Sequence, residues 1–329
     1  MCCTRLAAMQ GHTSRLFLGY RERFVDDVVV KLPKRQRVGG TAGGVATVSV
    51  SQRPTLPGPI GSVPGRAGQR LDDQHEVAQA TGCTVWDGAL LLGRAIASLP
   101  PVALRHSRAA GGTCREAETW RPKALEIGAG TGALGLSVAA CGAVASMLLT
   151  DMAAVLPLTQ ANLTKNRSVL AVPARCVPLL WRADSRAVCE QLEAEALPEG
   201  MTPVQLIIGS DLLYRPDDGD EVGSGETRDD SQQAALLSTL SALLRPDSGT
   251  VGLIALVEHV EGMVGTFIQK ATACGLEAAL LEDYCAANDV GSDRGPESEG
   301  LRSALADAKE TEPRTVLLRL ESACRQAAT

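Results

Sequence analysis

Residues 123–151, KALEIGAGTGALGLSVAACGAVASMLLTD, contain two short apolar runs separated by a glycine-rich turn and a helical pattern. The first run ends just before Gly128, and the second ends at Asp151. Between them, apolar residues recur at helical spacing from Leu134 to Cys141. The order strand, glycine turn, helix, strand predicts half of a nucleotide-type binding site.

The glycine turn explains what such a site needs. Closely spaced glycines at 128, 130 and 132 let backbone amides approach a ligand without interference from a Cβ atom. Asp151, at the end of the next strand, is placed to accept hydrogen bonds from a ribose diol. Two cofactor classes use this arrangement, and one of them is the dinucleotides. Residues 128–133 satisfy the dinucleotide pattern GxGxxG/A, so the glycines alone do not separate the two classes.

Further motifs distinguish the two classes. Glu126 precedes the first glycine by two residues, where dinucleotide-binding proteins usually have an apolar residue, and Gly132 completes the pattern ExGxGxG. The other motifs, in chain order, are Val85-Trp86-Asp87, Thr150-Asp151, Asn162 with Asn166, Leu180-Trp181 and Asp211-Leu212-Leu213-Tyr214. Together they resemble class I S-adenosylmethionine-dependent methyltransferases over roughly residues 80–285. The resemblance is closest to the protein-lysine methyltransferase group called methyltransferase family 16.

Strand and helix patterns alternate from residue 85 to 275 and are followed by late strands, at 278–284 and 314–321. This predicts an α/β fold with a doubly wound, mostly parallel sheet and an antiparallel edge. The resemblance implies seven strands, the Rossmann-like methyltransferase fold, and S-adenosylmethionine as the cofactor. The implied cofactor-binding residues are Trp86, Glu126, Gly128, Ala129, Gly130, Gly132, Asp151, Trp181 and Ser210.

Asp211 and Tyr214 are the predicted catalytic residues, because they follow the strong apolar strand 204–209, at the edge where open α/β sheets bind ligands. In the family this segment faces the substrate amine. A lysine with a reference pKa of about 10.4 must lose a proton before it can attack. Asp211 can hold the incoming ammonium, and Tyr214 can offer a ring face or an oxygen. The structural alternative makes Asp211 a helix cap and Tyr214 a packed rim residue.

Other roles stay open at this point. Glu126 either orients the turn or bonds the cofactor ammonium through water, or it only ties down the loop amides. Trp86 and Trp181 either lie beside the cofactor or serve as core anchors. The predicted function is methyl transfer to a protein lysine. The alternatives are transfer to histidine or a small molecule, an NAD-dependent oxidoreductase, and a non-catalytic cofactor-binding protein.

Composition limits the possible partners. A net charge of −6 and a pI near 5.4 argue against a nucleic-acid-binding surface and suit a basic protein substrate. The ten cysteines form no CxxC pair and have no neighbouring histidines, so we predict reduced thiols and no metal site. No apolar run is long enough to span a membrane. We therefore expect a monomeric cytoplasmic protein, with the nucleus, or an organelle if the arginine-bearing start is a transit peptide, as alternatives.

Domain organisation follows from shifts in composition. Residues 1–70 predict an N-terminal β element and a flexible Gly/Pro-rich linker, which begins at about residue 34. Residues 71–329 predict the methyltransferase domain, with loop insertions near 100–121, 215–230 and 287–313. The last insertion is expected to be a polar excursion without regular structure.

Overall fold

The computed structural model describes residues 27–35, 44–52, 83–106, 120–182, 184, 186–188, 190, 204–213, 228–244, 249–292, 296–311 and 314–323. Their strands are β1 Asp27–Pro33, β2 Val45–Ser51, β3 Lys123–Ile127, β4 Ser146–Asp151, β5 Ala174–Pro178, β6 Leu206–Ser210, β7 Val251–Val257, β8 Leu276–Leu280 and β9 Thr315–Ser322. Their α-helices are α1 Asp87–Ser98, α2 Ala133–Cys141, α3 Leu156–Asn166, α4 Arg228–Leu243, α5 Met263–Ala273, α6 Leu281–Ala287 and α7 Pro296–Glu310.

Several predictions concern residues outside these ranges. They are the possible transit peptide at the start of the chain, most of the insertions near 100–121 and 215–230, and the predicted catalytic residue Tyr214.

The main sheet has seven strands in the order β5-β4-β3-β6-β7-β9-β8. Strands β3 to β7 run parallel, and β9 is antiparallel to both β7 and β8. Strands β3, β4, β6 and β7 are almost continuously buried apolar runs, as expected for parallel strands covered on both faces. The predicted fold class, a doubly wound sheet with an antiparallel edge, is confirmed.

Helices cover both faces of this sheet. On one face, α1, α2 and α7 share a single apolar cluster with the inward side chains of β1 and β2. On the other face, α4 and α5 contribute Leu236, Leu240 and Phe267 to a second cluster. The carboxyl ends of the parallel strands meet at one edge, so the residues that follow β3, β4 and β6 are brought together there.

Three elements differ from the expectation. Strand β2 lies within the predicted linker, where VATVSVS alternates buried and exposed residues. The predicted strand 278–284 is shifted, because β8 ends at Leu280 and α6 follows it. The predicted polar excursion contains helix α7, which packs on α1 through the buried residues Leu301, Ala304 and Ala308. A narrow face made mainly of alanine gives little hydrophobic signal among so many charges.

The β1–β2 hairpin is attached to the domain by two asparagine side chains of α3. Asn162 accepts the N–H of Ser51 at 2.8 Å and donates to the Ser51 carbonyl at 3.0 Å. Asn166 makes the same pair with Ser49, at 2.9 and 2.7 Å. The two amides satisfy backbone groups on the edge of β2 that none of the described strands covers, so α3 takes the place of a neighbouring strand.

Candidate active site

The glycine loop joins β3 to α2 at the carboxyl edge of the sheet. Gly128, Gly130 and Gly132 have φ angles of 65°, 54° and 79°, in the left-handed region that glycine enters without strain. The Gly132 N–H donates to the Ala129 carbonyl at 2.7 Å, which closes the turn. The loop thus has the tightly turned backbone expected of a cofactor cradle.

Glu126 is turned into the protein interior, and only 2% of its surface is exposed. Its Oε2 accepts the Gly135 N–H at 3.0 Å, in the first turn of α2. The N-cap residue of α2 is Gly132, which has no side chain, so Glu126 supplies the cap from β3. Burial raises the pKa of Glu126 well above its ordinary value, although the Gly135 amide lowers it in part. The structure shows Glu126 bonded to one backbone amide, in α2 rather than in the glycine loop, and its contact with a cofactor stays a prediction.

Asp151 extends over the glycine loop from the end of β4. One carboxylate oxygen accepts the Gly130 N–H at 2.7 Å, and the other accepts the Met152 N–H at 2.7 Å. Burial raises the pKa of Asp151 to about 6, against the lowering effect of these two amides. Each oxygen keeps a second lone pair, so the group can still accept hydrogen bonds from ligand hydroxyls.

Trp181 and Leu212 flank the start of the loop. A Cβ atom added to Gly128 would lie 3.1 Å from Cζ2 of Trp181 and 3.0 Å from Cδ2 of Leu212. Trp181 is partly buried and also packs against the apolar cluster under α4 and α5. The structure therefore brings Trp181 to the predicted cofactor loop, and its position suits both of the roles considered for it.

Asp211 follows β6 in a left-handed conformation, with φ of 50°, and its N–H donates to the Ala255 carbonyl at 2.9 Å. Its carboxylate lies against the first turn of α1, beside Gly88. Trp86, the N-cap residue of that helix, is partly buried, as is Ser210 at the end of β6. Asp211 is linked to the glycine loop through the adjacent Leu212, so these predicted residues share one edge of the sheet.

Two residues that support the loop were not assigned to it from sequence. Thr159 Oγ1 donates to the Gly130 carbonyl at 2.6 Å, and Asn162 donates to the Thr131 carbonyl at 2.9 Å. Both side chains come from α3 and are fully buried. The sequence shows that Asn162 and Asn166 share a helix face, but it contains no signal for the carbonyls that they contact.

Gln205, just before β6, bonds to the neighbouring strand β3. Its Oε1 accepts the Lys123 N–H at 3.1 Å, which ties the amino-terminal ends of β6 and β3 together. That end of the sheet is opposite the glycine loop, so Gln205 has a structural role away from the site. Among the described residues, no group of three or more His, Cys, Asp or Glu side chains could hold a metal ion. None of the described helices has the length and apolarity needed to cross a bilayer.

The strand order and the glycine loop are those of class I S-adenosylmethionine-dependent methyltransferases. A family model described as lysine methyltransferase matches residues 66–220, a little under half of the chain. The chain thus resembles the lysine methyltransferase group, as the sequence motifs predict. With the fold, this makes it an S-adenosylmethionine-dependent methyltransferase, and the residues of the loop and Asp151 fit that cofactor.

Solved structures with detectable similarity include three methyltransferases of low identity. A TehB-like S-adenosylmethionine-dependent methyltransferase from Corynebacterium glutamicum is 15% identical, with TM-score 0.34, over 65% of this chain and 91% of that one. The ribosomal protein L11 methylase from Lactobacillus delbrueckii is 12% identical, with TM-score 0.31, over 64% of this chain and 74% of that one. The magnesium protoporphyrin IX methyltransferase from Synechocystis, with bound S-adenosylhomocysteine, is 12% identical, with TM-score 0.32, over 78% of this chain and 89% of that one.

The asparagine pair on α3 allows a matched test of the loop support. Asn162→Ala and Asn166→Ala each remove three hydrogen bonds, so we expect each to lower the free energy of unfolding by about 2–4 kcal/mol. Only Asn162 reaches the glycine loop. We therefore expect Asn162→Ala alone to weaken S-adenosylhomocysteine binding, by roughly five-fold, about 1 kcal/mol. Urea titration and calorimetry measure both effects; equal binding losses in the two variants would contradict the assignment.

Cofactor binding should depend on pH through Asp151. If the ionised carboxylate receives the ribose hydroxyls, a pKa of about 6 in the free protein means that affinity is full at pH 8. It should fall below pH 6, approaching about tenfold per pH unit. We expect calorimetric titration with S-adenosylhomocysteine to show this decline in wild type. In Asp151→Asn the affinity at pH 8 should be lower by about 10- to 100-fold and should not vary with pH. An unchanged pH profile in the variant would exclude Asp151 as the titrating group.

The raised pKa of Asp151 affects protein stability in the opposite direction to cofactor binding. Because the folded-state pKa of Asp151 exceeds the ordinary value of 3.8, the folded protein binds this proton more tightly than the unfolded chain does. Its contribution to stability is therefore present below pH 4 and is lost as the pH rises through about 6. Low pH should thus weaken cofactor binding without destabilising the protein through this group.

Proposed function

We propose that the chain transfers the methyl group of S-adenosylmethionine to a lysine ε-amine of a protein substrate. The observation that carries this proposal is the position of Asp211. Its carboxylate follows a central strand at the ligand-binding edge, and the next residue, Leu212, contacts the glycine loop. A fixed carboxylate beside the cofactor loop is suited to receive a cation such as an alkylammonium group.

In the proposed reaction, S-adenosylmethionine supplies a methyl group activated by its positively charged sulfur. Asp211 binds the incoming lysine ammonium and orients it toward the loop. Burial of the amine favours its neutral form, and the released proton passes to solvent. The nitrogen lone pair then forms the new N–C bond as the C–S bond breaks, and the bonding electron pair returns to sulfur. Alignment and exclusion of water supply most of the acceleration.

Each of the predicted site residues has a place in this scheme. The glycine loop and Asp151 would hold the cofactor, with Trp86, Trp181 and Ser210 lining the same edge. Tyr214 is proposed to contact the substrate amine, three residues after Asp211. The lysine methyltransferase family match supports a protein substrate, and the net negative charge of the chain suits a basic one.

Methyl-labelled S-adenosylmethionine provides the direct test. The full chain is incubated with the label and with lysate from cells that lack this protein, and labelled proteins are digested and sequenced by mass spectrometry. We expect the label on lysine side chains. Label on histidine, or only in the small-molecule fraction, would replace the substrate assignment. Calorimetry with S-adenosylhomocysteine and NAD in parallel should show binding of the first alone.

A further inference from the structure

Helix α1 begins in direct contact with the carboxylate of Asp211. A Cβ atom added to Gly88, the second residue of α1, would lie 2.8 Å from Asp211 Oδ2 and 3.3 Å from Asp211 Cγ. The first distance is shorter than any tolerable contact, and Ala255 Cβ, also at 3.3 Å, closes the space beside it. The carboxylate therefore occupies the volume that a side chain at position 88 would fill.

The amino-terminal end of α1 is also a favourable electrostatic environment for a carboxyl group. Trp86, the N-cap residue of α1, makes no side-chain hydrogen bond to the helix. The first turn of a helix carries unpaired N–H groups and the positive end of the helix dipole, which stabilise a nearby anion. Asp211 places its carboxyl group at this point from the loop that follows β6, and both of its carboxylate oxygens are buried.

The backbone on both sides of the contact is held in place by hydrogen bonds. The Gln52 side chain at the end of β2 accepts the Val85 N–H at 2.6 Å, which holds the chain just before α1. On the other side, the left-handed backbone of Asp211 is fixed by the bond from its N–H to Ala255. A methyl group at position 88 would therefore displace the carboxylate itself.

We propose that Gly88 is a positioning residue for methyl transfer: its missing side chain lets the Asp211 carboxylate lie against the start of α1, aimed at the substrate amine. This inference rests on the proposed function of Asp211. It extends the site to a residue that touches neither cofactor nor substrate.

The kinetic test compares Gly88→Ala with Gly93→Ala on the same helix. A Cβ at Gly93 would meet only Leu32 Cδ1 at 3.4 Å and Leu134 Cδ1 at 3.6 Å, which are ordinary contacts. We expect Gly88→Ala to lower kcat for label incorporation by about tenfold, as a small misplacement of a reacting group does. KM for S-adenosylmethionine and the Kd of S-adenosylhomocysteine should stay within about twofold. Gly93→Ala should resemble wild type in all three quantities.

A double-mutant cycle then tests whether the effect passes through Asp211. In an Asp211→Asn background, Gly88→Ala should lower kcat by less than about a further twofold, because the carboxylate that the added methyl group would displace has already been replaced by an amide. A further tenfold loss in that background, or no loss in the wild-type background, would overturn the proposal.

A measurement without substrate separates this proposal from the proposed function. In protein labelled with ¹⁵N-glycine, the Gly88 amide resonance is identified as the one missing from Gly88→Ala. We expect Asp211→Asn to shift this resonance and to leave that of Gly93 in place. A shift together with labelling on a residue other than lysine would preserve the positioning role and refute the lysine assignment. An unshifted Gly88 resonance would overturn the positioning role, whatever the acceptor is.

Discussion

Replacement of Asp211 by asparagine is expected to slow methyl transfer by roughly 10²-fold, because the lysine amine would lose the charge that binds and orients it for attack. The variant keeps nearly the same shape. Asparagine, like aspartate, tolerates the left-handed backbone that Asp211 adopts, with φ of 50°. The change therefore removes the charge that would receive the lysine ammonium and leaves the fold in place. Binding of S-adenosylhomocysteine should stay within about twofold of wild type.

The chain provides a matched control for this prediction. Asp289 also has a left-handed backbone, with φ of 55°, and lies exposed in the turn after α6. Asp289→Asn makes the same chemical change at a similar backbone position outside the site, and we expect wild-type transfer from it. The measurement is the initial rate of label incorporation with saturating S-adenosylmethionine. A rate for Asp211→Asn equal to that of Asp289→Asn would remove Asp211 from the mechanism.

Gly135→Ala is expected to destabilise the fold by about 3–5 kcal/mol, the sum of an overpacked core and a lost buried hydrogen bond. Gly135 is the third residue of α2. A Cβ there would lie 2.4 Å from Glu126 Oε2 and 2.4 Å from Leu149 Cδ2, both deep in the interior. Glu126 would be pushed off the Gly135 N–H without access to water, so its buried carboxyl group would lose its hydrogen-bond donor.

Thermal and denaturant unfolding measure this effect, and Gly265→Ala is its control. Gly265 lies within helix α5, and apart from its chain neighbours and the backbone of its own helix, no atom of the described residues lies within 4 Å of the Cβ that alanine would add. That variant should gain about 0.5–1 kcal/mol, because alanine restricts the unfolded chain and favours the helix. Gly135→Ala should lower the melting temperature by roughly 10 °C. If both variants melt at or above the wild-type temperature, the packing around Glu126 is not as described.

The parts of the fold with local signals were predictable. The glycines from 128 to 132, the buried strands around them and Asp151 are close in sequence, and strand–turn–helix–strand geometry places them without distant information. The position of Asp211 could be predicted for a similar reason, because it follows a strong apolar strand in a parallel sheet. Local pattern therefore gave both the fold class and the edge that carries the site.

The missed elements depended on distant partners or weak patterns. The alternation in β2 is present in the sequence, but the surrounding Gly/Pro/Ser-rich residues favoured a linker. Helix α7 was missed because alanine gives its buried face little hydrophobic contrast. No local pattern shows that Asn162 meets Ser51, 111 residues away, or that Gly88 meets Asp211. Such contacts are fixed only when the layers of the fold assemble.

The β1–β2 hairpin has a practical consequence for recombinant work. Its six inward side chains are buried with α1 and α2: Val28, Val30, Leu32, Ala46, Val48 and Val50. A truncated protein starting at residue 71 would expose the matching apolar surface of those helices to water. It would also remove two of the three side-chain hydrogen bonds of both Asn162 and Asn166. We expect such a product to accumulate in inclusion bodies, so expression should start upstream of Asp27.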